Sequence, residues 1–484
     1  MRAQSDTNAP AMPGRITWRT LLLASAAALG MVLASLDFAV NVGLPAMRDA
    51  FNTDLASVQW VIVVFIATRA GLALGAGAFA DRFGLRLVYL FGTTTYVVSM
   101  VCLSLSPTLE VLVGFRVLQA LGTGCLYSTA PAIAASVFPE HRRGLSMGFT
   151  SASLALGMVT STLGAGPLIQ LFDWPAVFAG RLPLAGLALL IGLFSIPRSL
   201  GNQPTDDAEK PRFDLPGSAL VLSLLLCLMI GLRLGQAIGW TSIPVLALLA
   251  ASPPILVALI RVERSAASPV LPGALVRLSG FQTAVGAMFL GHFSQFVIWF
   301  IFPFYITDAL GRGPVTLGIM LAVMSTSNIL SSPIGGWLCD RWGVRPVGAA
   351  GLLTSAFGLF AMSMLDGNSA VWHPAVGIAV VGLGVGWYQS AAYALMLGTV
   401  PAERYGTASG AMSLAQASGT VLCVAIVGAV FSALSDLYAA SIPADAAFLL
   451  AYRDVFRIGA ITAAVAAITF ALRARQPRIT SRSP

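Results

Sequence analysis

Long apolar runs separated by short polar turns recur along the whole chain, near 18–45, 59–80, 87–105, 108–137, 145–170, 174–197, 215–238, 242–261, 281–308, 314–338, 346–365, 374–399, 407–434 and 455–473. A helix needs about 20 apolar residues to cross a bilayer core. The pattern therefore predicts fourteen membrane-spanning helices and an all-α membrane protein. Composition agrees: 57% of residues are hydrophobic, 10% are charged, and the mean hydropathy is +0.83. A water-facing surface needs far more charge than this, so a soluble domain is excluded.

The punctuation within the runs repeats. Gly122, Gly124, Pro139, Gly144, Gly148, Gly157 and Gly166 return as Gly384, Gly386, Pro401, Gly406, Gly410, Gly419 and Gly428, each pair offset by 262 (401 − 139). A second set, Gly77-x3-Asp81-Arg82-x-Gly84-x-Arg86, returns as Gly336-x3-Asp340-Arg341-x-Gly343-x-Arg345, offset by 259 (340 − 81). The chain thus reads as two parallel six-helix repeats, an arrangement typical of secondary transporters. Six spans with their loops take about 200 residues, so the offset leaves room for an insert. The predicted organisation is a six-helix bundle over 1–197, a linker with two extra transmembrane helices over 198–280, and a second six-helix bundle over 281–484. The polar stretch 198–214 supplies the linker.

The net charge of +8 invites a polyanionic partner until its distribution is counted. With an even number of spans both termini share a side. Twenty of the 28 Lys and Arg residues fall on that side, Arg48, Arg312, Arg453 and Arg457 fall on the other, and Arg69, Arg116, Arg181 and Arg233 lie within spans. Basic loops mark the cytoplasm, so both termini are expected there, in a bacterial cytoplasmic (inner) membrane, with no nucleic-acid partner. The five cysteines show no paired spacing and read as inert buried thiols. The arginines ahead of the first run imitate a signal peptide, but that apolar run is too long for one.

These residues carry a family likeness over nearly the whole chain. Gly77-Ala-Phe-Ala-Asp81-Arg82-Phe-Gly84-Leu-Arg86 resembles the signature loop between helices 2 and 3 of the major facilitator superfamily. Leu36-Asp37-x3-Asn41-Val42-x-Leu44-Pro45 with Val58-Gln59-Trp60 is similar to the helix 1 and 2 signatures of its fourteen-span drug:proton antiporter branch. Arg116-Val-Leu-Gln119-Ala120-Leu-Gly122 resembles the helix 4 motif, with Ala120 where glycine is usual. Trp174-x3-Phe178-x4-Pro183 resembles the entry into helix 6, with Arg181 where asparagine is common. The resemblance implies the major-facilitator fold, two six-helix bundles plus two extra helices. It also implies a latch closing the cytoplasmic face, formed by Gly77, Asp81, Arg82, Gly84 and Arg86 with Asp340 and Arg341; without it the loop is a plain topogenic basic turn. The helix 5 antiporter motif departs from its pattern: Ser161-Thr162 stand where Gly-Pro belongs and Ala165 replaces a glycine. Symport and uniport therefore stay open beside antiport.

Asp37 is the acidic side chain set deepest in any predicted span, and a carboxylate at such depth is by default a functional group. At 1.5 Å per residue, Asp37 and Arg116 both come to about 7 Å outside the midplane. In the cavity the family implies between helices 1 and 4 they could pair, either as a proton switch or as a permanent salt bridge. Arg69 meets an anionic substrate group or a second acceptor, or rests on backbone carbonyls. Arg181 and Arg233 read as snorkelling toward the interface. His292 is a proton relay or a satisfied polar contact. Trp299, Phe300, Phe302, Tyr305, Trp387, Tyr388 and Tyr393 line an apolar pocket, or form interface belt and packing. The substrate-binding set is Asn41, Arg69, His292, Trp299 and Tyr388, with Asp37 and Arg116 for proton coupling.

No nucleophile–His–acid set, metal-ligand cluster or phosphate-binding glycine loop occurs, so the chain is not read as an enzyme, and neither a cofactor nor a metal is implied. No loop is long enough to fold a signalling domain, which argues against a receptor. The function expected is proton-coupled export of drug-like or amphipathic small molecules by alternating access. The alternative is a specific organic-anion or metabolite transporter on the same fold. The partners are the small-molecule substrate, protons and the lipid bilayer, and the chain is read as a monomer.

Overall fold

The computed structural model of the chain describes residues 18–137, 143–197, 200, 241–265, 275, 277–401 and 405–474, with scattered positions between 217 and 239. Every regular element among them is helical: α1 (Trp18–Ser35), a 3₁₀ turn (Leu36–Phe38), α2 (Ala39–Ala50), α3 (Leu55–Val58), α4 (Trp60–Phe83), α5 (Leu85–Ser104), α6 (Leu109–Val137), α7 (Arg143–Phe172), α8 (Ala176–Ala179) and α9 (Leu182–Ser195) in the first half. After α10 (Ile243–Ser265), the second half comprises α11 (Ser279–Phe304), a π turn (Tyr305–Ala309), α12 (Pro314–Trp342), α13 (Val344–Met362), α14 (Trp372–Thr399), α15 (Tyr405–Ala439) and α16 (Ala444–Arg473).

Eleven helices among the described residues are long and apolar enough to cross a membrane. Two shorter apolar stretches, Trp60–Arg69 and Ile243–Leu259, fall on the predicted spans 59–80 and 242–261. Most of the predicted span 215–238 and of the linker 198–214 lies outside the described residues, as do His141 and Arg233. The ends of the spans differ from expectation in two places. The last helix starts at Ala444 rather than near 455, because Tyr452, Asp454 and Arg457, which make its beginning read as polar, have local partners: Asp454 accepts a 2.6 Å hydrogen bond from Tyr438 and lies 3.5 Å from Arg457, and Tyr452 stacks on Tyr305 at 4.6 Å. The run 174–197 is broken between α8 and α9 at Gly180-Arg181.

Repeated glycines make repeated contacts. A methyl added to Gly122 on α6 would meet the Gly92 carbonyl of α5, and one on Gly384 of α14 would meet the Gly351 carbonyl of α13. Close backbone approach of this kind drives helix association in lipid, where apolar area gives no preference for a neighbouring helix over a lipid tail. The signature loops match as well. Gly84 closes α4 at φ +85° and Gly343 closes α12 at φ +88°, their N–H groups donating to Ala80 and Cys339 carbonyls. A side chain is strained at such φ, so glycine ends both helices.

The halves meet near the ends at which α4 and α12 begin, away from Gly84 and Gly343. Gly166 of α7 packs on the Pro314 and Val315 backbone, Gly318 of α12 packs on the Thr162 carbonyl, and Gly428 of α15 abuts Gln59.

Candidate functional site

The first span is not one continuous helix. Ser35 turns its hydroxyl back to donate to the Met31 and Val32 carbonyls at 3.2 and 2.9 Å, a bond that competes with the backbone ladder. Leu36–Phe38 follow as a 3₁₀ turn, and Pro45 has no N–H for the Asn41 carbonyl one turn back. Asn41 Nδ2 donates to the Phe38 carbonyl at 3.2 Å, and its Oδ1 is buried without a partner among the described residues. A 3₁₀ segment inside a helix is a common hinge, and Asp37 sits at its centre.

Three side chains converge on Asp37, whose own side chain is 14% exposed. Arg116 Nη1 and Nη2 donate to Oδ1 and Oδ2 at 2.6 and 2.8 Å, Gln119 Nε2 donates to Oδ1 at 3.0 Å, and Arg181 Nη1 donates to the same oxygen at 3.4 Å. Arg116 is itself fully enclosed: its Nε donates to the Val61 carbonyl at 2.6 Å, its Nη1 also donates to Gln119 Oε1, and its guanidinium lies 4.3 Å from the Phe65 ring centroid. The pairing of Asp37 with Arg116 expected from the sequence is present. Gln119 was missed, although it follows Arg116 by one helical turn and so faces the same way.

Arg181 corrects its expected placement. It does not snorkel; it is buried, points inward to Asp37, and lies over the Phe178 ring at 5.5 Å. The break between α8 and α9 puts it at the N-cap position of α9, where the chain turns it toward the core. Arg69 rests neither on a carboxylate nor on backbone carbonyls among the described residues. Its guanidinium lies 5.4 Å from the Phe65 ring and 5.1 Å from the Tyr127 ring.

The remaining candidates divide. His292 Nδ1 lies 3.0 Å from the Met288 carbonyl and 3.2 Å from the Tyr388 hydroxyl, and its Nε2 is 3.5 Å from Gln389 Nε2. Tyr388 packs directly over Gly291, where a Cβ would strike its ring. Trp299 is buried against Phe38, the ring centroids 4.7 Å apart, so it joins the two halves. Phe302 and Tyr305 pack within the second half, Tyr305 donating to the Asp366 carbonyl at 2.7 Å. Of the expected latch, Arg86 caps the end of α9 through the Ile196 and Leu193 carbonyls, a favourable place for a cation. Asp340 is exposed, and Arg341 lies over the Trp337 ring at 5.5 Å. The side chains of Asp81 and Arg82, and the surroundings of Gly77, lie outside the described residues.

One contact was invisible in the sequence. Arg48 at the end of α2 donates to both oxygens of Asp308 in the π turn after α11, at 2.5 and 3.1 Å, with its guanidinium 5.2 Å from the Phe304 ring. Like Phe38–Trp299, this pair ties first half to second.

Comparison with known proteins agrees with this architecture. The model of the Major Facilitator Superfamily matches residues 26–279 and 284–484. Among similar proteins, the uncharacterized transporter YebQ of Escherichia coli is 28% identical over 93% of this chain and 94% of its own. The multidrug resistance protein Stp of Mycobacterium tuberculosis is 27% identical over 85% and 76%, and the tetracenomycin C resistance and export protein of Streptomyces glaucescens is 28% identical over 90% and 79%.

Proposed function

This chain belongs to the major facilitator superfamily of membrane transporters, and we propose that it is a proton-coupled secondary active transporter of the fourteen-span drug:proton antiporter branch. It exports drug-like or amphipathic small molecules across the cytoplasmic membrane by rocking a bundle over 1–197 against one over 281–484. The observation that carries the reading is Asp37, a carboxylate on a 3₁₀ hinge held by Arg116, Gln119 and Arg181. Two similar proteins named for drug resistance or export add support. The excess of basic loops on the side of the termini supports a cytoplasmic assignment for that side. Phe38–Trp299 and Arg48–Asp308 then seal the outer side.

In the working cycle Arg116 stays charged and holds Asp37 ionised. Moving the arginines away, or letting substrate compete for them, raises the proton affinity of Asp37 and lets it load from outside. Each pH unit of gradient supplies about 1.4 kcal/mol, and 100 mV adds about 2.3 kcal/mol per charge moved. The test is proton efflux from acid-loaded inside-out vesicles on addition of compounds that the protein makes tolerable to a pump-deficient host. Such compounds should collapse the gradient with the native protein and leave it intact with Asp37→Asn; equal collapse by both would sink the assignment.

A further inference from the structure

The proton site uses three charges, Asp37, Arg116 and Arg181. Arg69 is left over. It is half-buried in the middle of α4 and forms no ion pair among the described residues. Ring faces compensate a guanidinium only in part, whereas taking its charge out of water costs more. Such a cation is stable when water or an anion can reach it.

The groups around it cross from one half to the other. Tyr127 of α6, under the Arg69 guanidinium, lies within electrostatic reach of Tyr393 of α14. Tyr393 accepts a 3.3 Å hydrogen bond from Gln416 of α15, which also lies 3.3 Å from the Met288 sulfur of α11. One turn along α11 is His292, with Gln389 beside it. Apart from the buried Met288, these side chains are half-buried at mid-helix. One end of the row is cationic and aromatic, and the other offers neutral donors and acceptors. A pocket orients its ligand with a few such groups among aromatic walls.

We propose that Arg69 and Tyr127, facing Tyr393, Gln416, Gln389 and His292, form the substrate seat, and that it takes flat aromatic compounds bearing negative charge. The anion lies on Arg69, the ring stacks on Tyr127, and the amides and imidazole orient the far edge. Negative charge suits the seat because Arg69 has no carboxylate in contact among the described residues, and Asp37, already bonded to Arg116 and Arg181, reaches it only at longer range. This rests on the transporter reading but not on proton coupling.

The experiment uses the full-length protein in nanodiscs, with no gradient, and measures by calorimetry the binding of 2-naphthoate, its neutral analogue 2-naphthamide and the cation 2-naphthylmethylammonium. The naphthoate should bind at least tenfold more tightly than the amide, with the ammonium weakest. Arg69→Gln should erase that margin while amide affinity stays within twofold, which also reports an intact fold. Tyr127→Leu should weaken acid and amide alike and keep the margin. The proposal is overturned if naphthoate binds no better than the amide, if the margin survives Arg69→Gln, or if the ammonium binds best. Because no transport is read, any of these outcomes leaves the role of Asp37 standing, and the naphthoate–amide margin is read with Asp37 intact.

Discussion

Phe38 directly follows Asp37 in the same 3₁₀ turn, and its ring lies 4.7 Å from that of Trp299 in the opposite half. The carboxylate and the contact that joins the halves therefore share a single turn. A change in how Arg116 and Arg181 hold Asp37 has only one residue to travel before it reaches the seal. Such aromatic pairs contribute about 0.5–1.5 kcal/mol beyond their buried area. Trp299→Ala should shift the equilibrium toward opening at this end. Spin labels at Asn52 and Gly313 in a cysteine-free background would report longer distances than in the parent; an unchanged distribution removes Phe38–Trp299 from the seal.

The Arg48–Asp308 pair acts beside it. Both side chains are partly exposed, at 22% and 32%, so the bridge is worth no more than about 0.2–1 kcal/mol. Arg48→Ala and Asp308→Ala should each favour opening by that amount, and the double variant should cost no more than either alone. Fully additive effects in the same distance measurement would show that the two do not act together.

Removing Arg116 differs in kind from neutralising Asp37. Arg116→Ala leaves the buried carboxylate with only Gln119 and the longer Arg181 contact, and removes the Arg116 donors to the Val61 carbonyl and Gln119 Oε1. The expected loss is about 3–5 kcal/mol, read as a lower unfolding midpoint in detergent. Asp37→Asn keeps the shape and can still accept from Arg116, so it should fall well short of that loss. Equal destabilisation would make the pair a structural bridge.

Helix packing offers a check on the internal repeat. Gly122→Val and Gly384→Val each push a side chain into the backbone of the adjacent helix, at Gly92–Tyr96 and Gly351–Ser355 respectively. Each should cost about 1–3 kcal/mol in denaturant unfolding. Gly114, which has open space around its Cα, should accept alanine with little change.

The sequence showed what local rules control. Apolar runs marked most helices, glycines at fixed offsets marked the repeated contacts, and a lone carboxylate inside an apolar run pointed to Asp37 and its arginine. Gln119 was readable one turn from Arg116. Other features depend on how helices break and dock. Arg181 turns inward because the chain breaks at Gly180, which hydropathy does not register. Arg48 and Asp308 are 260 residues apart at the ends of apolar runs, where charges are ordinary. Trp299 is one aromatic among many until the halves are placed together. The final helix begins early because polar residues there find partners that a hydropathy window cannot see.

The account rests on Asp37 exchanging its proton during turnover. Infrared difference spectra of the reconstituted protein, recorded as pH is lowered in the presence of a transported compound, test this directly. A protonated-carboxyl band should grow in for the native protein and be missing from Asp37→Asn. The same band in both proteins, or none in the native one, would contradict proton coupling through Asp37.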